Sequence, residues 1–516
     1  MNISMLLDMA ADGMGGRVII GGGSQAITLS GLQERAAGAA RLVTSSGASA
    51  LVYLGVNGPA LPVALFGAAR AGVPLVPLNY RLGHEQLQRL LAQHPGAYCV
   101  ADAAQFETVA AAGLRAQTPA EFLAATAASF SGASVSGGSV SGALVEDAPE
   151  TDAPAVLIYT SGTTSEPKGV LLRHDNLVAY VLGTVEFAAA DADDAALMSV
   201  PPYHISAISN VLTNVYSGRR FLTLEPFTAE GWLDLVRGEA ITNAMVVPTM
   251  LARIMDTPGL DLSVPSLRAL AYGGAAMPLR VIERALRTWP HVGFVNAYGL
   301  TETSSTITVL GPEEHRAALE SADSEQHARL GSAGQAVPGI DLEIRSADGA
   351  AVPVGVSGRI WVRGAQVSAE YAGHGPTVDE HGFFDTRDRG RLDEDGYLFV
   401  EGREDDTIIR GAENIAPAEI EEVLLSHPDV LDAVVVGIPD EEWGQRLEAV
   451  IVLSPGSSAD GEAVRDYVRD KLRRSKTPDR IEVWPDLPRT PTGKLLRRDV
   501  VRDLAQHHAA KPLPLS

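Results

Sequence analysis

A chain of 516 residues is longer than one hydrophobic core usually grows, so at least two packed units are expected. Hydrophobic residues at 46% and charged residues at 20% match an ordinary globular enzyme and exclude disordered or fibrous designs. A net charge of -23 excludes a general role in binding nucleic acid, whose phosphates demand a basic footprint.

The opening stretch MNISMLLDMAADGMGG has neither a basic n-region nor a long apolar h-region. No run of about 18 uninterrupted apolar residues occurs, so no transmembrane segment is predicted and a cytoplasmic location is expected. Residues 21–26, GGGSQA, fit the dinucleotide pattern G-x-G-x-x-A, but the ITL that follows reads as a strand and no acidic residue lies about twenty positions on. A hairpin turn is predicted there.

Between about residues 30 and 100, helical patterns such as LSGLQERAAGAARLV alternate with apolar runs such as ALVYLGV and VPLVPLNY, which predicts a parallel sheet with crossover helices. The single cysteine, Cys99, cannot build a disulfide framework, and its segment AYCVADA reads as a buried strand. Residues 129–142, SFSGASVSGGSVSG, are too polar and glycine-rich to pack and are expected to form a flexible surface insertion. A second strand-and-helix series runs from about Ala153 to Leu310, and each of its apolar runs ends in Gly, Pro, Ser or a polar cluster. In open α/β sheets ligands bind beyond the carboxyl ends of the strands, so these polar endings are the natural site.

From Gly331 to Glu401 closely spaced strands and turns (LEIRSADG, GRIWVRG, GYLFVEG) predict a compact β unit. The sequence then passes from a charged turn at Asp405 through a strand and loop into a helix that begins near Pro417. The last 110 residues or so read as a small α+β unit. Within them, from Lys471 to Arg498, nine Lys or Arg face three Asp or Glu, a local balance of +6 in an acidic chain.

The segment LIYTSGTTSEPKGV (Leu157 to Val170) runs an apolar strand into a hydroxyl-rich, glycine-containing loop ending in lysine. Hydroxyls, exposed backbone N–H groups and one cation are what a polyphosphate needs. It is not a Walker A loop, because Pro167 stands where that pattern wants glycine before the lysine. No zinc-spaced His/Cys cluster and no G-x-S-x-G elbow occurs, so metal-assisted or serine hydrolysis lacks a basis.

Residues 159–170 resemble the phosphate loop of the adenylate-forming superfamily, which comprises acyl-CoA synthetases, peptide synthetase adenylation domains and luciferases of the firefly type. The resemblance continues in order through PPYH (201–204), YGGAAMP (272–278), NAYGLTET (296–303), FFDTRDRGRLDEDGYLFVEGRED (383–405), GAENIAPAEIE (411–421) and PTGK (491–494), and so covers nearly the whole chain. It implies an α/β fold: a large N-terminal domain of doubly wound sheets with a β-barrel-like subdomain (1–404), then a small, mobile α+β C-terminal domain (405–516) hinged at Asp405.

By the same resemblance, Thr160, Ser161, Gly162, Thr163, Thr164 and Lys168 would hold the outer phosphates of ATP. Gly273, Gly274, Ala275, Asn296, Ala297, Tyr298 and Gly299 would form the adenine slot. Thr301 is expected on the α-phosphate, Glu302 on Mg2+, and Asp388 with Arg403 on the ribose. Lys494 would reach both the carboxylate and the phosphate oxygens, Gly411 and Ala412 would line the pantetheine channel of CoA, and the basic cluster would suit the CoA phosphates. His204, Ser209, Val247, Gly299 and Leu300 would line an apolar acyl pocket drawn from segments near 204–210, 246–250 and 298–303. His204 stands where amino-acid-activating relatives tend to carry aspartate, which argues against an amino-acid substrate. Three residues depart from the commonest pattern: Ser165, Arg387 and Ala412 stand where glycine is usual.

The activity implied is a ligase that joins a small-molecule carboxylic acid to AMP and passes the acyl group to CoA, in a monomer or homodimer. An acid:carrier-protein ligase and a non-catalytic nucleotide-binding regulator are the alternatives.

Overall fold

The computed structural model describes residues 1–23, 26–131, 152–160, 167–410, 413–440, 443–490 and 495–510. The first helix of the parallel series, Leu29–Ser46, is capped by Thr28, whose side chain accepts from Gly31 N, and stops at Gly47 in the left-handed region (φ 70°). Strands Leu51–Leu54, Leu75–Pro77, Tyr98–Ala101 and Val156–Thr160 pair in parallel through the crossovers predicted from the sequence. They form the centre of an eight-stranded sheet. Cys99 is buried in this sheet, and burial pushes its thiol up to about 12.

The second series builds a nine-stranded sheet in which Ala195–Met198, Arg220–Thr223, Asn243–Val246, Ala269–Gly273 and Gly293–Leu300 run parallel. Val18–Ile20 and Ile27–Thr28 pair antiparallel at its edge, so the glycine-rich segment between them closes a hairpin and not a dinucleotide fold; Ser24 and Gln25 lie outside the described residues. One apolar cluster joins the two sheets, running from Tyr53 and Val156 through Phe66 and Ile208 to Met198 and Phe221. Fully burying side chains of this size contributes about 1.5–3 kcal/mol each, which fixes the two sheets against one another.

The β unit takes the form of a four-stranded antiparallel sheet, Asp341–Arg345, Gly358–Arg363, Phe384–Leu392 and Leu398–Arg403, with its own apolar cluster. Beyond it Ile408–Arg410 and Glu413–Ile415 pair as a short hairpin where the sequence reads as one strand and a loop. Pro417 opens helix Pro417–Leu425 in its first turn, as its missing N–H allows. Strands Val430–Asp440, Gly444–Leu453 and Arg480–Val483 complete the C-terminal sheet. The polar segment at 129–142 is corrected at its start: helix Pro119–Ser131 carries through Ser129, and the remainder lies outside the described residues. Among the described residues no helix is long and apolar enough to cross a membrane.

Candidate active site

The carboxyl end of strand Gly293–Leu300 supplies most of the candidate groups. Its neighbour Ala269–Gly273 lies parallel, with Gly273 opposite Ala297, and a Cβ on Gly273 would stand 2.3 Å from Ala297 O. Only glycine permits that approach. Gly274 follows with φ 84° and nothing within 4 Å of a Cβ, and Ala275 is exposed, so the strand end opens into free space. That space fits a flat ring laid against backbone. Asn296 is committed elsewhere, donating from Nδ2 to Ser332 O at 2.8 Å.

Tyr298 and Asp388 meet although 90 residues separate them: the phenol donates to Asp388 Oδ2 at 2.6 Å. Arg403, opposite Asp388 in the neighbouring antiparallel strand, brings its guanidinium to 3.4 Å from Oδ1. Burial and the Asp388 charge push the Tyr298 hydroxyl well above the ordinary tyrosine range. The phenol therefore remains a donor at any working pH.

A second constellation stands beside the first. Tyr371 donates to Glu302 Oε1 at 2.9 Å, and Lys168 Nζ lies 5.8 Å from the centre of the Tyr371 ring. Burial and the Glu302 carboxylate raise the Tyr371 hydroxyl above its ordinary range, while the charges of Arg387 and Arg403 oppose the rise. Arg403 thus acts on both phenols, which puts the two constellations within one electrostatic neighbourhood. Sequence reasoning missed Tyr371. It lies in the two-residue strand Glu370–Tyr371, pairing with Val170 just past Lys168, and so short a strand carries no periodic signal.

The turn after Thr301 is strained. Ser304 and Ser305 have φ of 57° and 119°, values that disfavour residues bearing a Cβ. Gln366 holds the turn by donating to Thr303 O (3.1 Å) and Thr306 O (2.7 Å), and Thr301 is buried beneath it. Opposite, a Cβ on Gly299 would stand 1.8 Å from Ser305 O, so this position has no room for a side chain. His204 caps helix Ile205–Ser217, its ring Nδ1 accepting from Ser206 N (3.3 Å) and bonding Ser206 Oγ (2.7 Å). Ser305 Oγ donates to Ser209 Oγ at 3.3 Å, so the helix start and the strained turn face one another; Val247, at the end of the neighbouring strand, is buried.

Thr160 ends its strand with Oγ1 at 3.4 Å from Lys168 O. Ser161, Gly162, Thr163 and Thr164, the departing residue Ser165, the channel residues Gly411 and Ala412, and Lys494 lie outside the described residues. Arg387 stands where the resemblance expects glycine, and its φ of 59° gives the reason glycine suits this position. Asp405 is exposed in the turn Glu404–Asp406. Its two neighbours are tied in opposite directions: Glu404 pairs with Arg359 of the four-stranded sheet at 2.6 Å, and Asp406 with Arg497 of the last helix at 3.4 Å.

Residues 7–372 match the family model described as AMP-binding enzyme, and residues 419–494 the one described as AMP-binding enzyme C-terminal domain. The unmatched stretch between them contains Asp405. The chain is 34% identical over 486 residues to an indoleacetate–CoA ligase of Aromatoleum aromaticum, covering 92% of each protein. It is 32% identical over 461 residues to a fatty acid–[acyl-carrier-protein] ligase of Streptomyces coeruleorubidus, covering 87% of this chain and 86% of that one. Among solved structures it resembles the o-succinylbenzoate CoA synthetase of Bacillus subtilis in complex with its acyl-adenylate intermediate, with TM-score 0.80 and 28% identity over 96% of this chain and 97% of that one.

Proposed function

We propose, from the premise that the chain belongs to the AMP-binding enzyme family and is an AMP-forming acid–thiol ligase, that it activates a ring-bearing carboxylic acid and delivers the acyl group to CoA. In the first step a carboxylate oxygen attacks the α-phosphorus of ATP, a P–O bond forms, and the bond to pyrophosphate breaks. In the second a thiolate attacks the acyl carbon, a C–S bond forms, and AMP leaves. The first barrier is mainly the approach of two anions, so fixed cations and donors aimed at the phosphate supply the stabilisation.

The observation that carries this reading is the meeting of Tyr298, Asp388 and Arg403 beside Glu302, Tyr371 and Lys168, at strand ends that open beyond Gly274. Asp388, oriented by the Tyr298 phenol and Arg403, accepts the ribose hydroxyls. Lys168 and the hydroxyl-rich loop before it take the outer phosphates, Thr301 the α-phosphate, and Lys494 spans the two reacting anions. Magnesium usually keeps waters and substrate oxygens and takes only one or two protein carboxylates. Glu302 suits that habit, and among the described residues no group of three potential metal ligands occurs. Glu302 would hold the ion, which would supply positive charge against the pyrophosphate.

Two of the three relatives named above act, by their names, on ring-bearing acids. The carrier-protein ligase among them supports a second reading, in which a phosphopantetheine arm replaces free CoA. Measuring acid-dependent AMP release across aromatic and alkyl acids, with and without CoA, tests both. AMP release that rises with CoA and forms an acyl thioester is expected; acid-dependent pyrophosphate release with no CoA thioester favours the carrier reading, and no acid-dependent product at all overturns both.

A further inference from the structure

The helix that His204 caps, which the ligase reading sets beside the acyl group, carries a polar stripe that an apolar acid would not require. Helix Ile205–Ser217 is buried at eleven of its thirteen positions; Asn210 and Thr213 are the two that keep some exposure. Ser206, Ser209, Asn210 and Thr213 follow the i, i+3, i+4, i+7 spacing that puts them on one face. That face does not look out to bulk solvent. Asn210 reaches Met245, on a central strand of the nine-stranded sheet, and Ser209 receives the Ser305 hydroxyl from the strained turn. The exposure left at Asn210 and Thr213 therefore opens inside the domain.

The donors on this face are already used. Asn210 Nδ2 gives one proton to Ser206 O at 2.7 Å and points the other at Met245 Sδ at 3.3 Å. Both neighbours can only accept, which fixes the nitrogen end of the amide. Thr213 Oγ1 donates to Ser209 O at 2.9 Å, and Ser209 Oγ to Ser206 O at 3.2 Å. What remains is acceptor capacity: among the described residues no donor meets Asn210 Oδ1, and the lone pairs of Thr213 Oγ1 are equally unclaimed.

We propose that Asn210 Oδ1, with Thr213 Oγ1 beside it, recognises a hydrogen-bond donor on the distal edge of the acid, so that the substrate is an aromatic acid carrying a ring N–H or a phenolic O–H. The inference rests on the ligase reading and narrows it. An acceptor in a partly desolvated pocket stays unpaired when the donor is absent, and sites of that kind reject analogues lacking the donor more strongly than an apolar pocket rejects a missing methylene.

The test compares an indole acid with its N-methyl form, and a phenolic acid with its methyl ether, in AMP release by the wild-type enzyme and by Asn210→Leu and Thr213→Val. The wild type is expected to prefer the donor-bearing acid in kcat/KM by about 100-fold, and Asn210→Leu to bring that ratio down toward one. ATP binding by calorimetry, which involves neither residue, checks that each variant is folded. Should Asn210→Leu fail to fold, Thr213→Val is expected to reduce the same ratio. Equal use of methylated and unmethylated acids by the wild type, or a ratio that persists in every folded variant, overturns the donor proposal while leaving the ligase reading intact. No acid-dependent AMP from any acid overturns the ligase reading and this one with it.

Discussion

Removing one hydroxyl, by Tyr298→Phe, probes whether the two distant motifs act as one nucleotide site. The phenol donates to Asp388 Oδ2 at 2.6 Å, and Asp388 is only 7% exposed, so water does not readily take the vacated position. A hydrogen bond to a charged group contributes about 1.5–3 kcal/mol, or roughly 10- to 150-fold in an equilibrium constant. If Asp388 must hold its orientation to accept the ribose, much of that loss appears as weaker ATP binding, read by calorimetry without any acid present. A second readout follows from the raised phenol. A group whose folded pKa is raised gives stability that is complete below its unfolded value, about 10 for tyrosine, and that is lost as pH climbs toward the folded value. Tyr298→Phe lacks that share, so its unfolding free energy should fall less steeply above pH 10 than that of the wild type. Unchanged ATP affinity in a folded Tyr298→Phe protein would refute the coupling of the two motifs.

Two further substitutions address the backbone. Arg387→Gly should stabilise: the left-handed conformation costs a residue with a Cβ about 1–2 kcal/mol, against roughly 0.5–1 kcal/mol of extra chain entropy for glycine, and a lower denaturation midpoint in urea would contradict this. Asp405→Pro locks the torsion between Glu404 and Asp406, each tied to a different domain, so CoA-dependent thioester formation should fall on the order of 100-fold while acid-dependent pyrophosphate exchange persists. Equal loss of both half-reactions would remove the hinge assignment from Asp405.

Much of this site is legible in the sequence because it is built from strand endings, and apolar runs broken by Gly, Ser or Thr are conspicuous. Tyr298 and Asp388 lie at such endings, and the structure brings them together with Arg403. Tyr371 was not legible because its strand has two residues and its meaning lies in a contact with Glu302 across 69 positions. Helix Pro119–Ser131 runs into the segment expected to be flexible because its alanine-rich run carries helix propensity into the serine-rich stretch. The second strand of the hairpin, Glu413–Ile415, reads as a loop in the sequence because its three residues are too few for an alternation to register.

Most of the places where local rules fail are grouped around one residue, four of six; Ala188 and Ala240 stand apart. Among the described residues six without glycine's freedom have positive φ, and two of them, Ser304 and Ser305, follow Glu302 within three positions. A third, Ala369, donates its N–H to Glu302 O at 3.1 Å beside that of Ser368 at 2.9 Å. A fourth, Arg387, is close enough for its charge to act on Tyr371, the partner of Glu302. Each such conformation costs of order 1–3 kcal/mol and persists only where its surroundings over-determine it, which here means the Gln366 amide on Thr303 O and Thr306 O and the paired N–H groups on Glu302 O. A chain selected only for stability would relax these turns with glycine, as it does at Gly274. That it keeps side chains there, at a cost, places the constraint on what those side chains and the Glu302 carboxylate must face, and so on the ligand side of the turn.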